Sequence, residues 1–114
     1  MDDPIFAAIE AYRRADREIA DADTAFQNAS HDPGPNPWRK RYAAADKAYR
    51  KACTEMAATI PTTIAGAAAL IDLYVGENPW AWGGRPWHEY ALVNLSVALK
   101  RLAIEISVPK DISQ

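Results

Sequence analysis

The 114-residue chain has one cysteine, Cys53, and two histidines, His31 and His88. A lone cysteine excludes an intrachain disulfide and any cysteine-based metal cluster, and a reducing compartment is its natural setting. Neither histidine has a second ligand at helical spacing. No Glu-x-x-His pair occurs, which excludes a ferritin-like two-metal bundle, and there is no zinc signature. A Gly-rich phosphate loop is also missing, since Gly83-Gly84 is an isolated turn. No metal or cofactor is therefore expected. Long apolar runs are absent too. Ile64 to Val75 is short and carries Asp72, and Lys100-Arg101 interrupt the apolar C-terminal segment, so no stretch reaches membrane-spanning length. Excess charge of one sign is lacking: 13 basic residues stand against 15 acidic ones. Nothing global pushes the chain toward nucleic acid or an anionic membrane. The opening Met1-Asp2-Asp3-Pro4 lacks the basic and apolar regions of a secretory signal, and a cytoplasmic location is expected.

What is present is ordinary material for a core. Hydrophobic residues make up 49% and charged residues 25%, which fits a single globular domain over residues 1–114. The alanine content favours helix, and no run alternates as a strand would. Prolines punctuate the chain. Asp3-Pro4, Asn36-Pro37 and Arg85-Pro86 each open a helical pattern, and Thr62 or Thr63 caps another after Pro61. This predicts helices over about 4–29, 37–59, 63–76 and 86–106. The Ser30–Pro35 segment is a loop by composition.

The first two helices carry a more specific pattern. Ile5, Ile9, Tyr12, Asp16, Ile19, Asp23 and Phe26 follow alternating four- and three-residue steps. Trp38, Tyr42, Ala45, Tyr49, Ala52, Met56 and Thr59 do the same. That is the seam spacing of a two-helix coiled coil, and a short loop makes the pair antiparallel. Aligning the seams sets Phe26 against Trp38, Asp23 against Tyr42, Asp16 against Tyr49, and Tyr12 against Ala52 or Cys53. Two Asp–Tyr hydrogen bonds are expected, because a carboxylate on an apolar face needs a partner. Charge supports the pairing. Residues 2–30 hold seven acidic and three basic side chains, and residues 38–59 hold six basic and two acidic.

The third helix is apolar nearly all round, with Asp72 its only charge, and is expected to be buried on most sides. The fourth has a broad apolar stripe through Ala91, Leu92, Leu95, Ala98, Leu99, Leu102 and Ile106. A second stripe, at Tyr90, Val93, Val97 and Ile104, marks a candidate subunit interface. A homodimer, or another protein partner, is the expected assembly. The expected architecture is all-α: a coiled-coil-like antiparallel hairpin packed with a second, shorter hairpin as a four-helix bundle.

Candidate chemistry concentrates in Asn78–Tyr90. Three of the four tryptophans lie there, and Trp80, Trp82, Arg85 and Trp87 could stack a planar ligand or hold a cation. The competing reading makes the tryptophans a plug over the end of the core. The stripe of Arg39, Lys40, Lys47, Arg50 and Lys51 reads as a solvated face, because no aromatic residues interleave it and no nucleic-acid motif accompanies it. His88 and Glu89 diverge by about 100° on a helix and read as exposed capping residues. Cys53 sits at the seam edge with no activating histidine placed by sequence. Asp16 and Asp23 lie about 10 Å apart along the axis, too far to share a proton. No catalytic set converges, so a non-enzymatic interaction or structural module is expected, with small-ligand binding at the Trp/Arg loop as the alternative.

Two stretches carry a family likeness. Asp3-Pro4-Ile5-Phe6-Ala7-Ala8-Ile9-Glu10-Ala11 resembles the opening of a group of short, alanine-rich, uncharacterised helical proteins from alphaproteobacteria. Pro61-Thr62-Thr63-Ile64-Ala65-Gly66-Ala67-Ala68-Ala69-Leu70 is similar to that group's middle motif. The resemblance implies a helical fold and carries no functional residues.

Overall fold

The computed structural model describes residues 2–29, 38–77 and 86–107, with Ala29, Pro86, Ile106 and Ser107 described by backbone alone. The helices are α1 (Pro4–Ala29), α2 (Trp38–Ala58), α3 (Ile64–Gly76) and α4 (Pro86–Ser107). Among the described residues there is no strand. α1, α3 and α4 start where Pro4, Thr63 and Pro86 place them, and Asn36-Pro37, expected to open α2, lie outside the described residues. α1 packs on α2 and α3, and α4 packs on α2 and α3. α1 and α4 face each other across the core, where Tyr12 meets Trp87. The predicted four-helix architecture is therefore present.

One buried carboxylate ties the chain's start to its middle. Asp3 caps α1 by accepting from the Ile5 amide at 3.1 Å. Its second oxygen accepts from the amides of Thr62 and Thr63, each at 2.9 Å, and from the Thr63 hydroxyl at 2.7 Å. Thr63 in turn caps α3, its hydroxyl accepting from Gly66 at 2.9 Å. Two helix N-termini thus converge on one negative charge, an arrangement their dipoles favour. Burial alone would raise the Asp3 pKa, but the Thr63 hydroxyl and the three amides outweigh it and hold the carboxyl below its ordinary range. The close approach needs a glycine. A Cβ on Gly66 would sit 1.9 Å from Asp3 Oδ2 and 2.8 Å from Ile5 Cγ2. At the same end, Asn94 of α4 donates to the carbonyls of Ala57 and Thr59, at 3.0 and 3.1 Å, and so fastens α4 to the end of α2.

The α1 seam differs from its expected phase. Ile5, Ile9 and Tyr12 are buried as predicted, as are Ala45, Ala52 and Met56 on α2. Beyond Tyr12, however, the buried α1 positions are Ala15 and Ala22 rather than Asp16 and Asp23. Asp23 is exposed, so the expected Asp23–Tyr42 layer does not form. Tyr42 packs against Phe26, with ring centroids 5.8 Å apart. The physical reason is solvation: a one-position turn buries two methyl groups and leaves both carboxylates with access to water. Among the described residues, the acidic–basic pairing of the two helices produces one direct link, Arg41 to Glu18 at 3.1 Å. Arg14–Glu10 and Arg50–Asp46 are pairs within single helices.

α3 is less enclosed than its composition suggests. Gly66, Ala67, Leu70, Leu73 and Tyr74 are buried, but Ile64, Ile71 and Val75 are exposed. On α4 the core side is Trp87, Ala91, Leu95 and Ala98, and Leu92 and Leu99 of the predicted broad stripe lie outside it. The reason is geometric. Each of these two helices has two neighbours, and an apolar circumference is wider than two neighbours cover.

Candidate functional site

The aromatic residues meet where the end of α3 and the start of α4 approach α1 and α2. Tyr12 is fully buried, because its position on α1 faces the bundle centre. Its ring lies 5.7 Å from Tyr49 and 5.1 Å from Trp87, the second contact edge-on at 63°. Its hydroxyl donates to the Glu77 carboxylate and lies 3.5 Å from the Tyr49 hydroxyl. Trp87 contacts His88, which meets Tyr74 edge-on at 5.7 Å and 84°. Tyr49, Tyr12, Trp87, His88 and Tyr74 thereby form one connected chain of rings through all four helices.

A groove of about 940 Å³ opens beside this chain. Asp16 and Ile19 line it from α1, Tyr49 and Cys53 from α2, and Trp87 and Tyr90 from α4. Its size suits a small ligand. Trp87 is buried, yet its indole nitrogen donates to no acceptor among the described residues. Burial pushes the Cys53 thiol up to about 11, with Asp16 and Glu77 adding to the shift. The thiol therefore stays protonated at neutral pH and is a poor nucleophile. Among the described residues no three His, Cys, Asp or Glu side chains group as a metal site would require. None of the helices is long and apolar enough, over the described residues, to cross a membrane.

The sequence-predicted residues fall into three groups. Trp80, Trp82 and Arg85 lie outside the described residues. Trp87 belongs to the core cluster and also walls the groove. In the stripe, Tyr90, Val93 and Ile104 are exposed and Val97 is half-buried. His88 corrects the expectation of an exposed capping residue: it is buried against Tyr74 and Trp87. The basic residues Arg39, Lys40, Lys47, Arg50 and Lys51 are all exposed.

Sequence reasoning did not anticipate the outer face of the α3–α4 pair. Ile64, Ile71 and Val75 share an arc of about 40° on α3, and Leu92 and Leu99 share one on α4. The Tyr74–His88 contact turns these arcs toward each other across the α3–α4 seam. All five side chains are between 40% and 61% exposed. Ala68 extends the α3 arc, and Ser96 and Ala103 extend the α4 arc, so no charge interrupts either. A signal was available: helix 3 is apolar on more sides than a two-neighbour position can bury. No known protein family, curated protein or solved structure matches the chain at significant similarity, and the site stands on its own chemistry.

Proposed function

We propose that this protein is a non-enzymatic helical interaction module that pairs with a second copy of itself through the outer face of α3 and α4. The uncharged aliphatic surface of Ile64, Ile71, Val75, Leu92 and Leu99 supports this reading. Aliphatic side chains this exposed gain by leaving water, and contiguous apolar patches on soluble proteins mark contact surfaces. Two copies related by a twofold axis bring the same patch together, so a face without charge is self-complementary. The stripe of Tyr90, Val93, Val97 and Ile104 lies on the other flank of α4, and Lys100 and Arg101 border it. That border makes it the less suitable face for pairing like with like. A reducing, cytoplasmic setting fits the free Cys53.

Light scattering at several concentrations tests the reading. The native chain is expected at twice its 12.6 kDa mass, and the double variant Ile71→Glu/Leu92→Glu at the single mass with unchanged helicity. Both positions are exposed, so the fold tolerates the change. A native chain that stays monomeric throughout, or a double variant that still pairs, overturns the proposal. Dissociation by Val93→Glu/Ile104→Glu in place of the first pair would move the interface to the other flank.

A further inference from the structure

The outer face of α3 and α4 is uncharged along its two arcs, but charges stand beside them. Asp72, Glu89 and Lys100 each follow a core residue by two positions: Leu70, Trp87 and Ala98. Two positions turn a helix by about 200°, so all three project away from the core. Glu89 lies about 60° and Lys100 about 80° round from Leu92, and Asp72 about 80° round from Ile64. Each is exposed, and among the described residues none of the three joins an ion pair. Their heights follow from the helix contacts. α3 and α4 run antiparallel: Tyr74 near the end of α3 meets His88 near the start of α4, and Asn94 reaches Thr59 just before α3 begins. Counted from Tyr74 and His88, Asp72 stands level with Tyr90, and Ile64 with Ala98. The face therefore carries two acids toward one end and Lys100 toward the other. We propose that the second copy docks with its α4 antiparallel across α4 of the first, about a twofold axis near Ser96, so that Lys100 meets the partner's Glu89 on both sides of the axis. This orientation rests on the pairing of α3–α4 faces proposed above and gives it a direction.

A twofold axis lying in the interface joins the same face of two copies in two ways. An axis across the helices sets α4 on α4 with the heights reversed. Leu92 then lies over the partner's Leu99, and Lys100 falls about 3 Å along the helix from the partner's Glu89, within reach of two long side chains. Symmetry makes the pair twice. An axis along the helices sets α4 on α3 with the heights kept. Glu89 then stands opposite the partner's Asp72, like charge against like, and Lys100 stands opposite the partner's Thr62, an uncharged position. Arg13 and Arg17 line a hollow with Asp72 and soften that repulsion, but they give Lys100 no partner. Exposed ion pairs add little to affinity, yet across an interface they suppress the wrong register and fix the right one.

Charge exchange tests the direction, with dissociation constants measured by sedimentation equilibrium at low salt. Lys100→Glu and Glu89→Lys should each pair with themselves about tenfold more weakly than the native chain, because two attractions become two repulsions. Mixing the two variants should restore tight pairing between unlike copies, since the mixed pair regains both attractions. These differences should shrink at high salt. Ser96→Cys should oxidise to a disulfide-linked dimer, because position 96 lies close to the axis. The native chain, whose only thiol is Cys53, should not. The axis along the helices predicts otherwise: Glu89→Lys tightens pairing, Lys100→Glu leaves it unchanged, and Ser96→Cys stays unlinked. That outcome, or a mixture that pairs no better than either variant alone, overturns the orientation while the pairing itself stands. A native chain that stays monomeric overturns both. Glu89 lies in the first turn of α4, where its charge favours the helix. Lys100→Glu and Ser96→Cys leave it in place, so they decide the matter even where Glu89→Lys frays that turn.

Discussion

The two ends of the α1–α2 hairpin are built on different terms. From Ile5 to Ala15, α1 lies in one cluster with residues of all three other helices, among them Met56, Leu70, Tyr74, Trp87 and Leu95. Beyond Ile19 the buried side chains among the described residues are Ala22 and Ala45, and neither joins that cluster. The first region has large side chains interlocked on several sides. Among the described residues, the second has two helices held by methyl groups, the half-buried Phe26–Tyr42 ring pair, the Glu18–Arg41 ion pair and the Arg41 guanidinium over the Trp38 ring. The lesson is that one continuous heptad-like pattern can serve two packing regimes. Where α3 and α4 are present, α1 buries a broad face. Where only α2 faces it, the seam narrows to alanines.

Truncation of one large side chain in each region should expose this difference most strongly. Leu70→Ala leaves a cavity that many neighbours define, and about 3 to 4 kcal/mol of stability should be lost. Phe26→Ala removes a larger but half-buried side chain, and about 1 kcal/mol should be lost, because much of the ring already touches water. Denaturant unfolding of the two variants gives both values. Equal losses would mean that the arm is as tightly packed as the four-helix end. Amide exchange sharpens the same contrast: amides of residues 19–28 should exchange through local opening, and those of residues 8–15 only with global unfolding.

The second test concerns the tie at the four-helix end. Asp3 accepts four hydrogen bonds that join the starts of α1 and α3. Asp3→Asn keeps the shape but removes the charge, and should cost about 2 kcal/mol. The Asp3 carboxyl titrates below its ordinary value in the folded state. Its contribution is therefore complete above the unfolded value of about 3.9 and fades as pH falls through the lower folded value. The native chain should lose stability over that acid range more steeply than Asp3→Asn, as followed by thermal unfolding against pH. Parallel acid profiles would show that the tie contributes through shape and not charge.

Much of this was legible in the chain, and the reasons differ by residue. Asp3-Pro4 and Thr63 mark helix starts because capping is a local property, readable from adjacent residues. That Asp3 also serves Thr62 and Thr63 depends on residues about sixty positions away, and no local rule brings them together. Trp87 reads equally as ligand platform or core, since an indole suits both; its position opposite Tyr12 makes it core on one face and groove wall on the other. His88 was misplaced because a histidine at a helix start has the look of a cap, while its burial is decided by Tyr74 on a different helix. The exposed face of α3 was hidden by its own composition: apolarity on every side signals burial, and it signals an unfilled contact equally well.

The smallest expected effect is also the sharpest test of the arm. The strict spacing runs through Asp16 and Asp23, and the structure seats Ala15 and Ala22 instead. The two registers differ by one residue, about 100° of rotation, and they make opposite predictions at neighbouring positions. With Ala22 in the seam, Ala22→Asp drives a carboxylate between two helices and should cost about 1 to 2 kcal/mol. Asp23→Ala should change stability by no more than about 0.5 kcal/mol, as surface substitutions do. A bond from Asp23 to Tyr42 would reverse this order, since removing the carboxylate would strand a phenol on the seam. Asp23→Ala and Tyr42→Phe, singly and together in denaturant unfolding, separate the cases. Additive losses are expected, because Tyr42 acts through its ring against Phe26 and not through its hydroxyl. Coupling between the two would restore the strict register and place the arm under the same polar constraint as the Asp3 tie.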